Sequence, residues 1–176
     1  MRVGILTISD RAARDEYEDR SGPLVKGRIE GQGWDIIRFD VVSDDQAEIE
    51  EYLRSWADSG ELDLILTTGG TGFSPRDRAP EATLKVIDRL APGLVEAMRA
   101  VSLRVTPHAM LSRAAAGIRG NTLIVNLPGS PRAAEENLAV ILPVLPHGVD
   151  LLKDSPSAEA GHAFHHPQPK TRLPEE

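Results

Sequence analysis

Short apolar runs alternate with segments of helical periodicity along most of this chain. The apolar runs predict four strands, over residues 3–9, 34–42, 62–67 and 122–127. The segments between and after them predict helices, over residues 21–31 or 21–33, 45–60, 80–90, 92–105, 132–145 and 148–152. Strands that alternate with helices in this way favour an α/β fold with a mainly parallel sheet.

The polar loops that carry candidate chemistry all follow predicted strands. They begin at Ser9, Ser43, Thr67 and Asn126. Because ligands of open α/β sheets bind at the carboxyl ends of the strands, we expect these loops to converge on one edge of the sheet. Two other stretches show no clear periodicity: residues 10–20 are too charged for a core, and the small, basic stretch 112–120 is predicted to be irregular.

The loop over residues 67–81, TTGGTGFSPRDRAPE, is the most informative segment of the chain. Its glycines let the backbone approach a ligand closely, and its N–H groups and hydroxyls suit a phosphate. It lacks the Lys-Ser or Lys-Thr of a P-loop and the G-x-G-x-x-G of a dinucleotide site. The alternative is a tight turn that merely needs glycine. The candidate substrate-binding residues here are Thr68, Gly69, Gly70, Thr71, Gly72 and Arg76.

Two acids, Asp44 and Asp77, stand where strand ends lead into helices. Asp45 and Glu48 match a capping box. If Asp45 caps the helix, Asp44 is left facing the cleft, whereas if Asp44 caps it, Asp44 is purely structural. Asp77 is either a cation-binding carboxylate or a solvated partner of a neighbouring arginine. Together the two acids would suit a magnesium site for phosphoryl or nucleotidyl transfer.

The first and last strands end in further candidates. After the first strand, Ser9 and Asp10 could contact a ligand, with Asp10 accepting from a base or sugar hydroxyl; an ordinary turn is the alternative. After the last strand, Ser130 and Pro131 are predicted as the N-cap and first residue of a helix, which could add an anion site. The candidates in this second turn are Asn126, Pro128, Gly129 and Ser130.

Composition narrows the classes of function. The chain has 176 residues, a net charge of −7 and no cysteine. The acidic balance argues against a nucleic-acid partner, and the lack of cysteine excludes disulfides, thiolate metal sites and cysteine nucleophiles. No apolar run approaches the roughly 18 residues of a membrane span, so no membrane partner is expected and a cytoplasmic location is the default. We expect one domain over residues 1–154 and a polar tail over 155–176. The tail contains His162, His165 and His166, which are not expected to form a specific metal site.

Several of these motifs together resemble the molybdopterin adenylyltransferase family. This is the MogA/MoaB-type domain of molybdenum cofactor biosynthesis, found also at the N-terminus of gephyrin. The resemblance lies in the loop TTGGTGFSPRDRAPEAT, in the residues around Ser9 and Asp44, in the Leu111-Ser112-Arg113 segment and in the turn after Asn126. It covers roughly residues 3–153, and the spacing of the motifs agrees throughout.

The resemblance implies a three-layer αβα sandwich that assembles as a homotrimer. It implies that the terminal phosphate of molybdopterin attacks the α-phosphorus of ATP, with Mg²⁺, giving adenylylated molybdopterin and pyrophosphate for a separate molybdate-inserting protein. Asp44 and Asp77 would be the catalytic and metal-binding acids. Ala79 departs from the family's threonine, which would cap the next helix; Asp77 capping in its place would leave that acid less free for a metal.

Other functions stay open at this point. A non-catalytic MoaB-like protein would bind molybdopterin or a pterin intermediate without turnover. An oligomeric scaffold with a vestigial cleft, or a nucleotide or sugar-phosphate hydrolase, would need no pterin at all. The presence of both acids favours catalysis.

Overall fold

Six strands and seven helices make up residues 1–154, the part of the chain that the computed structural model describes. The strands are β1 Arg2–Ile8, β2 Asp35–Val42, β3 Leu64–Thr68, β4 Arg89–Leu90, β5 Ala116–Arg119 and β6 Thr122–Leu127. The helices are α1 Asp10–Ala13, α2 Ser21–Glu30, α3 Gln46–Asp58, α4 Ala79–Val86, α5 Pro92–Leu103, α6 Pro131–Ile141 and α7 Leu145–Leu152, with a 3₁₀-helix over Pro107–Leu111. The tail over 155–176, with its three histidines, lies outside the described residues.

The strands form one sheet in the order β2-β1-β3-β6-β5-β4. The first four strands in this order run parallel, and β5 and β4 add an antiparallel edge. The prediction of a mainly parallel sheet is therefore confirmed. The chain leaves β1 toward β2 on one side and returns to β3 on the other, which makes the gap between the ends of β1 and β3 a topological switch point.

Alternation of side chains along the strands creates a core on each face of the sheet. Val3 and Ile5 of β1 pack with α2, α5, α6 and α7 on one face. Leu6 and Ile8 of the same strand pack with α3 and α4 on the other. Because successive strand residues point to opposite faces, one strand serves both cores. The predicted three-layer αβα sandwich is confirmed.

The antiparallel edge corrects two predictions. The helix predicted over 80–90 ends at Val86, because Ile87 turns to an extended conformation and Leu90, 64% exposed, joins strand β4. The stretch 112–120 is not irregular throughout, since residues 116–119 form β5. Position 117 of this strand requires glycine, because a Cβ there would fall 2.4 Å from the Ile87 side chain and 2.7 Å from the Arg89 carbonyl oxygen.

Smaller differences lie at the other helix ends. The helix predicted over 132–145 ends at Ile141, and the last helix begins at Leu145 rather than near residue 148. The charged stretch after β1 opens with the single-turn helix α1. None of the helices within residues 1–154 has the length and apolar character that a membrane span requires.

Candidate functional site

A cleft of about 250 Å³ opens at the switch point between the ends of β1 and β3. The predicted site residues that line it are Ser9, Asp44, Thr68, Gly69, Gly70, Asp77 and Gly129. The convergence expected from the strand order therefore holds for loops that are far apart along the chain.

Glycine is required where the glycine-rich loop crosses the end of β1. Gly69 has φ +104°, and a Cβ there would lie 2.2 Å from the Ile8 carbonyl oxygen. Gly70 follows with φ +61°, against the Asp44 carboxylate. No hydrogen bond within the described part of the chain uses the N–H groups of Gly70, Thr71 or Gly72. Of these three residues only Gly70 lines the cleft, where an unpaired N–H can donate to an anionic ligand.

Asp45, not Asp44, caps helix α3. Its side chain accepts hydrogen bonds from the N–H groups of Ala47 and Glu48, 3.0 and 3.1 Å away. Of the two alternatives left open by the sequence, the one that frees Asp44 is correct. The Asp44 Oδ2 accepts from the Asp10 N–H at 2.7 Å, and the Asp10 Oδ1 accepts from the Asp44 N–H at 3.0 Å. This reciprocal pair fixes the first two loops against each other.

The surroundings of Asp44 disfavour the charged form of its carboxyl group. Burial raises the pKa of its carboxyl above the ordinary value, and the charges of Asp10 and Asp77 raise it further. The hydrogen bond from Asp10 and the more distant charge of Arg76 lower that pKa but do not cancel the rise. A cation bound between these acids would relieve the repulsion.

Asp77 stays available for a ligand. Its Oδ2 accepts from the Ser74 N–H at 3.0 Å, within its own loop, rather than from helix α4. Helix α4 begins at Ala79, and its N-cap residue Arg78 makes no side-chain capping hydrogen bond. Asp77 therefore does not cap α4 in place of the missing threonine, which is the alternative that would leave it less free for a metal. The Ala79 N–H instead donates to the Gly70 carbonyl, which ties the helix start to the glycine-rich loop.

Two predicted ligand-binding residues bind each other at the rim. The Arg76 guanidinium donates two hydrogen bonds to the Asp10 carboxylate, at 2.9 and 2.8 Å. This pairing lowers the pKa of Asp10 below its ordinary value. Arg76 thus brings a positive charge to the cleft edge, with Asp10 holding it in place.

The turn after β6 forms the facing wall. The Thr68 hydroxyl donates to the Pro128 carbonyl at 2.7 Å, and a Cβ on Gly129 would lie 3.1 Å from the Gly69 Cα. Ser130 is the N-cap of α6 as predicted, although its side chain makes no capping hydrogen bond. The two glycine-bearing turns therefore approach each other backbone to backbone.

Asn126 lies in the interior behind this wall. Its amide nitrogen donates to the hydroxyls of Thr67 and Thr83, and its oxygen accepts from the Ala115 N–H. The side chain is fully buried. This placement makes Asn126 a link between strands under the glycine-rich loop, and its predicted contact with substrate stays a prediction.

The floor of the cleft holds residues that the sequence reasoning passed over. Asp19 accepts from the Thr7 hydroxyl at 2.6 Å and from the N–H groups of Ser21 and Gly22, both at 3.0 Å. Next to it, the ring of Tyr17 is about half exposed, and the Arg11 guanidinium lies 4.6 Å from the ring centre. The signal was an Asp two residues before a predicted helix start, which is a capping pattern.

A second cavity of about 450 Å³ lies on the other side of the Pro128–Ser130 turn. It is enclosed by α5, α6 and the 3₁₀-helix. Its walls are largely apolar, and its polar groups are Arg99, Ser102, Thr106, His108, Ser112, Ser130, Glu136 and Asn137. No local sequence pattern predicts this cavity, because its lining comes from segments about 30 residues apart.

Carboxylates alone do not complete a metal site here. Within residues 1–154 there is no group of three or more His, Cys, Asp or Glu side chains arranged to hold a metal ion. Asp44 and Asp77 nevertheless line one cleft, and Mg²⁺ commonly takes one or two carboxylates plus oxygens of a bound phosphate.

The chain is similar to known proteins in sequence and in fold. Residues 4–147 match the family described as "Probable molybdopterin binding domain". The molybdopterin adenylyltransferase of Helicobacter pylori strain J99 is 42% identical over 154 residues, which cover 86% of this chain and 88% of that protein. Gephyrin of Dictyostelium discoideum is 43% identical over 166 residues, and this chain spans only 23% of its length. Among solved structures, the molybdopterin biosynthesis enzyme MoaB of Thermus thermophilus is 51% identical, with a TM-score of 0.83 and coverage of 88% of this chain and 98% of that one.

Proposed function

The chain belongs to the molybdopterin-binding domain family of molybdenum cofactor biosynthesis, and from this premise we propose that it transfers AMP from ATP to the terminal phosphate of molybdopterin. The products are adenylylated molybdopterin and pyrophosphate. Relatives of similar length carry the name molybdopterin adenylyltransferase, at 41–42% identity. The family membership confirms the resemblance drawn from the glycine-rich loop; the reaction is the proposal.

The observation that carries the proposal is the pair of acids without cationic partners beside the glycine-rich loop. Asp44 and Asp77 line the cleft, and neither makes an ion pair with a Lys or Arg within the described residues. Such carboxylates fit Mg²⁺, and Asp44 and Asp77 would hold it. When bound, the ion would neutralise charge on the phosphates of ATP.

The rest of the cleft positions the nucleotide. The Gly70 N–H, which has no partner within the described residues, is at the cleft and could donate to a phosphate, as in other phosphate sites built from glycine loops. Arg76 offers positive charge at the rim, and the exposed ring of Tyr17 offers a stacking surface for adenine. Positioning and electrostatic stabilisation are the main requirements of phosphoryl and nucleotidyl transfer.

We assign the pterin of molybdopterin to the second cavity. Its apolar walls suit a flat heterocycle, and its edge carries hydroxyl, amide and guanidinium groups able to pair with one. The Pro128–Ser130 turn separates this cavity from the cleft, with Pro128 and Ser130 lining one side and Gly129 the other. A molybdopterin whose ring lies in the cavity would carry its phosphate over this turn toward the nucleotide.

An exposed apolar surface beside the second cavity bears on the oligomeric state. The apolar residues Val101, Leu103, Val105, Met110 and Leu111 are exposed beside the second cavity. Contacts between copies would cover them, as in the homotrimer that the resemblance implies. Met98, on the same helix as Val101 and Leu103, is buried in the core and is not part of this exposed surface. We further propose a cytoplasmic enzyme that hands its product to a molybdate-inserting partner, and sedimentation of the purified protein tests the trimer.

The test of the reaction is a single-turnover assay with α-labelled ATP, Mg²⁺ and molybdopterin. We expect label in a molybdopterin–AMP product, and loss of that product with Asp44→Asn or Asp77→Asn. Tight molybdopterin binding without transfer by the wild-type protein would instead identify the non-catalytic MoaB-like binder. Pyrophosphate or phosphate release without a pterin would point to the hydrolase. Failure to bind either substrate would indicate a scaffold with a vestigial cleft.

A further inference from the structure

Arg113 holds the glycine-rich loop from behind, although it lines neither the cleft nor the second cavity. Its guanidinium donates to the Gly72 and Asp77 carbonyls, both at 2.7 Å. Its own N–H donates to the Thr71 carbonyl at 2.9 Å. Arg113 thus makes three hydrogen bonds to the loop, two near its glycines and one at Asp77.

A fourth contact of Arg113 connects the loop to helix α4. The Arg113 guanidinium also pairs with Glu81 in the first turn of α4. The second carboxylate oxygen of Glu81 is buried and accepts no hydrogen bond from the described residues. Glu81 therefore depends on Arg113 for compensation of its charge, and the loop and the start of α4 are held as one unit.

The same residue adjoins the second cavity through its neighbour. Ser112 lines that cavity, and the Ser112 carbonyl accepts from the Arg99 guanidinium at 3.1 Å. Arg99 and Ser112 thus lie on the cavity wall, and Ser112 is one peptide bond from Arg113. A ligand that contacts this wall acts directly on the segment that carries Arg113.

We infer that Arg113 is a positioning residue that couples occupancy of the second cavity to the placement of Asp77 in the nucleotide cleft. The inference rests on the proposed function, in which the cavity takes the pterin and the cleft takes Mg·ATP. Filling the cavity fixes Ser112 and Arg113, and Arg113 fixes the loop through the Thr71, Gly72 and Asp77 carbonyls. Molybdopterin and nucleotide should therefore bind cooperatively.

The measurement is the affinity for Mg²⁺ and α,β-methylene-ATP, whose α–β bond does not break, with and without molybdopterin. For the wild-type protein we expect molybdopterin to tighten binding of the analogue about fivefold or more, the lower range of allosteric coupling. For Arg113→Lys, which cannot span the carbonyls and Glu81 together, we expect a change below about twofold. Calorimetry reports this coupling without any turnover.

Arg119→Lys is the matched control. Arg119 also makes two hydrogen bonds to one carboxylate, that of Asp58, and one to a backbone carbonyl, that of Val86. It lies at the opposite edge of the sheet, so its loss should leave the coupling at the wild-type level. A second variant, Glu81→Gln with Arg113→Gln, removes the half-buried carboxylate together with its partner. It should recover stability lost in Arg113→Gln alone while the coupling stays absent.

Each outcome decides the inference separately from the proposed reaction. Coupling in the wild type that persists in Arg113→Lys, or that returns with stability in the double variant, would show that Arg113 only stabilises the fold. Independent binding of the two ligands by the wild type would also overturn the inference, even if labelled product forms. Coupling that is lost with Arg113 while no product ever forms would uphold the inference and reject the adenylyl transfer.

Discussion

Asp63 and Asp44, at opposite ends of the parallel strands, have opposite electrostatic surroundings. At the edge away from the cleft, Asp63 is 2% exposed and accepts from the Arg2 guanidinium and the Lys153 ammonium, at 2.7 and 2.9 Å. Burial alone would raise the pKa of Asp63, but these partners lower it to about 2. At the cleft edge, Asp44 has acids rather than bases as close neighbours, and its pKa is raised.

The difference shows which edge is built for stability and which for a ligand. Asp63 ties the start of β1 to the end of α7, so its charge is satisfied within the protein. Asp44 and Asp77 have no such partner, and the repulsion between them is a cost that the folded chain carries. A bound cation with phosphate oxygens would remove that cost. Residues of one type thus acquire different roles from their neighbours alone.

The largest expected effect comes from removing charge at the cleft edge. Asp44→Asn keeps an oxygen to accept from Asp10 but loses its affinity for a cation, so we expect AMP transfer to fall about 10²- to 10³-fold. The unfolding free energy at pH 7 should stay the same or rise, because a half-buried charge that other acids repel is gone. Single-turnover kinetics and denaturant unfolding measure the two effects. A variant that is inactive because it is unstable would break the comparison.

The opposite result is expected at the other edge. The lowered pKa of Asp63 corresponds to roughly 2 kcal/mol of unfolding free energy, which is present above the ordinary carboxyl pKa near 4 and is lost as the pH falls toward 2. Asp63→Asn should lose about this much at pH 7 and show a weaker loss of stability in acid than the wild type. Denaturant unfolding from pH 2 to 7 checks this. At pH 7 the transfer rate per folded molecule should not change.

A smaller effect is expected from the aromatic ring at the cleft. Tyr17→Ala removes the proposed stacking surface for adenine and should weaken ATP binding roughly tenfold, within the range for base–aromatic stacking. Tyr17→Phe keeps the ring and should bind ATP like the wild type. Calorimetric titration with ATP measures both variants. If wild type and Tyr17→Ala bind ATP with equal affinity, adenine does not stack on Tyr17 and must bind elsewhere in the cleft.

Much of this arrangement follows from local pattern. Apolar runs and helical spacing predicted the parallel strands, and the rule that ligands lie at carboxyl strand ends brought Ser9, Asp44 and Gly69 to one edge. The capping pattern left two alternatives for Asp44. Only the folded geometry, with Asp45 on the Ala47 and Glu48 N–H groups, separates them.

What the pattern missed depends on contacts between distant segments. Strand β5 depends on the close fit of Gly117 against Ile87 and Arg89, which no local pattern reveals. Arg113 lies 36 residues from Asp77, whose carbonyl it holds, so no periodicity links the two. The pairing of Arg76 with Asp10 spans 66 residues and has the same character. Motif spacing located the cleft, whereas the network that shapes it is tertiary.

The measurement that tests the contrast most directly is the titration of the Asp44 and Asp63 side-chain carboxyls by ¹³C NMR. We predict that the pKa of Asp44 lies above the ordinary value of 3.8 and that the pKa of Asp63 lies at about 2. Adding Mg²⁺ with α,β-methylene-ATP should lower the pKa of Asp44 and leave that of Asp63 unchanged. An Asp44 pKa at or below 3.8 in the free protein, or one that does not respond to the magnesium nucleotide, would contradict the account.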